Sequence, residues 1–147
     1  MKNFLSLGCI CLLFTISSCE VKPEPINFGT DACHFCKMTI VDQQHAAQYV
    51  TKKGKQFKFD AVECMLNDIS ENGMEDLAML LVSDYAQPGE MTDATQATYL
   101  ISQEIKSPMG ANLSSFGNPL DAEITVKSHG GDLYSWREML NKYQVPE

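Results

Sequence analysis

The sequence predicts an α+β fold of two small related lobes, each a β-hairpin followed by a helix with an additional strand. Three observations predict it. Short stretches rich in β-branched and aromatic residues alternate with Gly-containing turns. Two segments carry apolar residues at i, i+3, i+4 and i+7, the signature of one helical face: Val62, Met65, Leu66, Ile69 and then Trp136, Met139, Leu140, Tyr143. Each of these segments opens on the same pattern, an aromatic residue, a capping residue and a glutamate three positions on, as in Phe59-Asp60…Glu63 and Tyr134-Ser135…Glu138. Recurrence of one unit along a chain points to two similar lobes.

Residues 1–18 read as a signal peptide. Lys2 opens the apolar run "FLSLGCICLLFTI", about a dozen residues, too short to span a bilayer and suited to the core of a leader. The run ends at Ile16-Ser17-Ser18-Cys19, an apolar residue, two small residues and a cysteine. That order is the bacterial lipobox, which makes Cys19 the expected lipidation site. It places the protein in the bacterial cell envelope, on the periplasmic side, lipid-anchored to a membrane. Residues 19–31 form the lipidated N-terminus and a tether, since "EVKPEPINFGTD" shows neither helical nor strand period. A proline-rich extended chain reaches about 3 Å per residue.

Lobe one, residues 32–90, carries Cys-x-x-Cys-x-Met and is expected to be ββα(β). "QYV" leads through the turn "TKKGK" into "QFKF", the helix starts after Asp60 and stops at Gly73, and "LAMLLVSDY" supplies the additional strand. Lobe two, residues 91–147, carries Ser-Pro-Met-Gly and is expected to be β(ββα). "ATYLIS" is its separate strand, "EITVK" and "LY" its hairpin across "SHGGD", and Ser135 caps its helix.

Charge narrows the function classes. Loss of Lys2 with the leader leaves ten basic residues against nineteen acidic ones, a formal charge of −9. Such a surface argues against nucleic acid and against a polybasic membrane patch.

Of six cysteines, Cys9 and Cys11 leave with the leader and Cys19 takes lipid, so Cys33, Cys36 and Cys64 remain. An odd number in an exported chain requires an explanation. Met38 lies two residues past Cys36, and Met109 sits between Pro108 and Gly110, out of any regular element. Thiolates combined with thioethers select a soft monovalent ion, Cu(I). Cys33, Cys36, Met38 and Met109 are therefore the candidate metal ligands. Three alternatives stand beside this reading. Cys33 and Cys36 could form a structural disulfide. A redox dithiol would want the start of a helix, whereas "KMTIV" after Cys36 is strand-like. Zinc would want a second ligand pair, and neither His34, His45 nor His129 supplies one by spacing. Cys64 falls at the fourth position of the first helix, facing Phe59 in a hydrophobic staple, and is read as packing or else as an accessory ligand or resolving thiol. Asp60, His34 and His129 are the other accessory candidates. No glycine-rich phosphate loop and no histidine–nucleophile pair appears, so a non-enzymatic role is expected. The rival from another class is a lipid-anchored thiol–disulfide oxidoreductase using Cys33 and Cys36.

Cys33-x-x-Cys36-x-Met38, then Phe59-Asp60 with Cys64 four residues after the aspartate, then Ser107-Pro108-Met109-Gly110, all behind a lipobox, resemble the NosL family. The resemblance implies a periplasmic Cu(I) chaperone of two related βα lobes. Its partners by the same implication are nitrous oxide reductase, whose copper centres it serves, and a membrane ABC-type maturation complex. The sulfur motifs carry over onto Cys33, Cys36, Met38 and Met109. Two positions depart from the family pattern. Lys37 stands where a small residue often precedes the methionine, and Ala61 where a second acidic residue often follows Phe-Asp.

Overall fold

The computed structural model describes residues 21–146; the signal peptide, the lipobox and Cys19 lie outside the described residues. Ten elements follow in order: β1 (Ala47–Thr51), β2 (Gln56–Phe59), α1 (Val62–Asn72), β3 (Leu77–Ser83), β4 (Met91–Asp93), β5 (Thr98–Ile101), β6 (Leu113–Phe116), α2 (Pro119–His129), β7 (Asp132–Tyr134) and α3 (Trp136–Lys142). They form two antiparallel sheets, of order β2-β1-β3-β4 and β6-β5-β7.

The duplication is present, in a different register from the one the sequence predicts. In each half the first strand is central, its hairpin partner lies on one side, and the strand after the helix lies on the other. The first unit is β1-β2-α1-β3 and the second β5-β6-α2-β7. The counterpart of α1 is therefore α2, and α3 is an addition. Both matched helices stop at a glycine with positive φ, Gly73 at 77° and Gly130 at 65°, whose N–H groups return to Ile69 O and Val126 O. The expected hairpin of "EITVK" with "LY" is not formed, because Glu123–Lys127 lie inside α2. Local chemistry explains the outcome. Asn118 caps the helix by accepting from the Leu120 N–H, Pro119 supplies a preset φ at the first turn, and Lys127 and His129 sit near the carbonyl end. These signals outweigh the β-branched Ile124-Thr125-Val126 trio.

The predicted helix faces are the buried ones. Val62, Met65, Leu66 and Ile69 are fully buried, as is Met139, with Trp136, Leu140 and Tyr143 packed against the same core. That core crosses both halves, joining Phe59 and Leu66 to Tyr99, Leu113 and Met139. β4 continues the first sheet to Asp93, past the expected boundary at 90. The stretch expected as a tether is laid onto the first sheet for much of its length. Lys22 O accepts from Gln56 Nε2 (3.0 Å), Pro25 O from Lys58 Nζ (2.7 Å), and Ile26 and Phe28 pack against the core. Among the described residues no helix is long and apolar enough to cross a membrane.

Candidate metal centre

Residues 32–39 form a tight turn ahead of β1. Ala32 and Thr39 pair as an antiparallel bridge, Cys33 N donates to Met38 O (2.7 Å), and Lys37 N donates to Cys33 O (3.1 Å). His34 N donates to Lys58 O (2.8 Å), which fastens the turn to β2. Lys37 closes it with φ of 68°, a left-handed conformation costly for a side chain with a Cβ.

The turn lies over the start of α1. Ala61, not Asp60, is the N-cap, with extended dihedrals and no side-chain cap bond, so the expected aspartate cap is corrected. Cys64 accordingly sits at the third helical position rather than the fourth, and the staple with Phe59 loses its register. Asp60 and Cys64 are both freed for another role. Cys33, Cys36, Cys64 and Asp60 bring one ligand atom each to within 4.8 Å of one another. All three cysteines are free thiols; Cys33 and Cys64 are buried and Cys36 is half-buried. The Cys36 thiol donates to Asp60 Oδ1 at 3.4 Å.

Proximity makes the thiols titrate as a group. The Cys33 pKa falls to about 6, chiefly because the Cys64 thiol donates a hydrogen bond to its thiolate. Cys64 is pushed up, first by serving as that donor and then by burial. Burial chiefly raises Cys36, to about 11. One thiolate among the three is thus well accommodated, and a second or third requires a cation.

The other predicted residues are not among the four converging donors. Met38 and Met109 are surface thioethers, 54% and 44% exposed. Met109 rides on the turn closed by Gly110 N to Ser107 O (3.1 Å), within the β5–β6 connection. His34 stacks edge-on against Phe57 and its Nε2 lies 3.8 Å from Asp68, outside the four converging donors. His45 is held between Asp42 (2.8 Å) and Ser114 (3.2 Å). His129 ends α2, with Nδ1 at 3.3 Å from Thr125 O. The structure therefore joins Cys64 and Asp60, accessory candidates by sequence, to the two cysteines of the motif.

A model of the NosL family matches residues 25–144. The chain belongs to the NosL family. It is 32% identical over 151 residues to the copper-binding lipoprotein NosL of Stutzerimonas stutzeri, an alignment covering 91% of this chain and 78% of that protein. Its fold is similar to the crystal structure of the copper chaperone NosL from Shewanella denitrificans, with a TM-score of 0.71 and 22% identity, covering 81% of this chain and 96% of that one. This NosL chain thus combines the family fold with a nest of three thiols and one carboxylate.

Sequence reading missed one residue that this fold uses. Glu63, taken as half of a capping box, instead reaches across to Ser107 and Ala111. A glutamate buried in the second position of a helix carries no distinguishing mark in the sequence.

Proposed function

We propose that this NosL protein is a lipid-anchored, non-enzymatic Cu(I) chaperone on the periplasmic side of the bacterial envelope. It takes a cuprous ion on Cys33, Cys36 and Cys64, with Met38 and Met109 offering thioethers at the surface. It gives the ion up for assembly of the copper centres of nitrous oxide reductase, working with a membrane ABC-type complex. One observation carries the reading: three free thiols and a carboxylate converge within 4.8 Å, in a chain whose motif methionines Met38 and Met109 are both exposed. Soft donors at low coordination number suit Cu(I), and an exposed thioether is a neutral, weak ligand that an acceptor can displace. The names carried by the relatives support the metal.

Dithiol exchange is disfavoured on two grounds. The motif lies on a turn with no helix behind it. The accessible Cys36 has a raised pKa, while Cys33, with the lowered one, is 1% exposed. An exchange catalyst needs a thiolate that a substrate can reach.

Anaerobic titration of the reduced, mature protein against a chromogenic Cu(I) chelator tests the proposal. One ion per chain is expected, with Cys36→Ser weakening binding by about 100-fold, the upper end of what losing a mere outer-shell partner costs. Uptake that survives removal of Cys33 and Cys36 defeats it. The three-thiol, one-carboxylate set also fits zinc(II), and preferential retention of zinc over Cu(I) in the same titration establishes that reading instead. The client is tested separately. Cells lacking the chain should accumulate nitrous oxide reductase without copper, and normal copper loading removes that client while leaving the binding chemistry intact.

A further inference from the structure

Glu63 precedes Cys64 on α1 and is 3% exposed. Its Oε1 accepts from the Ser107 hydroxyl and from the Ala111 N–H at 3.4 Å. The same Ser107 hydroxyl oxygen accepts from the Asn112 N–H at 2.8 Å. One carboxylate oxygen therefore ties down both ends of the short segment 107–112 that displays Met109. Its Oε2 is buried and has no hydrogen-bond partner among the described residues.

That arrangement is costly. A buried charged group is tolerated when hydrogen bonds compensate it, and one idle oxygen leaves part of the desolvation uncompensated. A helix–loop contact made only for packing would be served better by an apolar side chain of similar volume. The carboxylate adds direction, because it accepts two donors from opposite ends of one turn and fixes that turn against the first turn of α1. Cys64, the next residue, belongs to the thiol nest.

We propose that Glu63 is a positioning residue: it clamps the Ser107–Asn112 turn to the start of α1 and so fixes the exposed Met109 thioether relative to Cys64, the next residue of that helix. Placement of the turn stands on its own, whereas its consequence for metal rests on the Cu(I) reading above. Without the clamp, Met109 samples solvent and contributes little to capture; with it, the thioether is preorganised.

Two readouts test the clamp. In the metal-free mature protein labelled with 13C-methyl methionine, Glu63→Ala should move the Met109 methyl signal toward its random-coil position while the core signals of Met65 and Met139 stay in place. Glu63→Gln, which keeps an acceptor oxygen, should restore most of the native shift. In Cu(I) competition, Met109→Ala and Glu63→Ala should each weaken binding about tenfold, the lower end expected of an outer-shell partner, and the double variant should be no weaker than either. Ser107→Ala cuts the clamp from the other side and repeats both measurements if Glu63→Ala fails to fold. An unmoved Met109 methyl, or losses that multiply in the double variant, overturns the proposal. If the wild-type chain binds no Cu(I), the copper reading fails and the methyl spectra still decide the clamp.

Discussion

Three thiols packed in one nest cannot all ionise together, and the fold resolves the competition residue by residue. Cys33 gives up its proton first because Cys64 donates to the resulting thiolate; Cys64 and Cys36 then hold theirs. Stability of the metal-free protein must follow. Cys33 has a folded pKa near 6 against a reference value of 9.0, so its contribution is complete above pH 9 and is lost as pH falls through 6. Cys36 and Cys64 are raised above the same reference, so they oppose folding once the unfolded chain ionises above pH 9. Urea midpoints of the reduced protein should therefore climb from pH 6 to 9 and turn down beyond it. In Cys33→Ser the climb between pH 6 and 9 should disappear; a flat wild-type profile across that interval would contradict the shared-proton picture.

At the scale of single elements, close approach of backbones explains which glycines matter. Gly131 adopts φ of 108° ahead of β7, and a Cβ there would stand 2.3 Å from Ile101 O and 3.0 Å from Ser102 Cα. Neither neighbour is a flexible side chain; both are backbone atoms at the end of the central strand β5. Gly54, in the β1–β2 turn, has φ of 80° with nothing within 4 Å of the added carbon. Gly131→Ala should cost at least about 3 kcal/mol of unfolding free energy and Gly54→Ala about 1 kcal/mol, by chemical denaturation. Comparable losses would mean that the β7 crossing relaxes freely.

The same scale shows what could be read in advance. The helical faces of α1 and α3 were legible because their apolar periodicity agrees with their burial, and β1, β2, β3 and β5 because turn residues bracket them. α2 was misread as strand because Leu120 and Ile124 face solvent while Ala122 and Val126 pack, which erases a one-sided stripe. Asn118-Pro119 and Gly130-Gly131 marked its ends nonetheless. Cys33 and Cys36 announced themselves by spacing. Cys64 and Asp60 joined them through a one-residue shift in the α1 cap and through a turn folding back over the helix, both tertiary outcomes.

For the whole molecule, the segment before the thiol turn sets how freely the domain moves relative to its expected anchor. Lys58 ties it twice, to Pro25 O (2.7 Å) and to the Asp31 carboxylate (2.7 Å). Lys58→Met should leave global stability within about 1 kcal/mol, as for a partly exposed ion pair, yet speed limited proteolysis within residues 21–31. Unchanged cleavage would show that Ile26 and Phe28, packed on the core, hold the segment by themselves.

Two lobes with one core should also unfold as one. Phe59, Met65 and Leu66 from the first half share a hydrophobic cluster with Tyr99, Leu113 and Met139 from the second, and Glu63 adds a polar link between α1 and the β5–β6 connection. Melting either half would strip the other of much of its apolar cover, and a state with one half folded is correspondingly unfavourable. Two probes report on the halves separately: fluorescence of Trp136, the single tryptophan, and modification of the buried Cys64 thiol. Their denaturation curves should superimpose. Met65→Ala, a cavity in the first half costing about 2–5 kcal/mol, should shift both curves by the same amount. Displacement of the Cys64 curve alone would show that the shared core does not couple the repeats, and that the duplicated units retain independent stability.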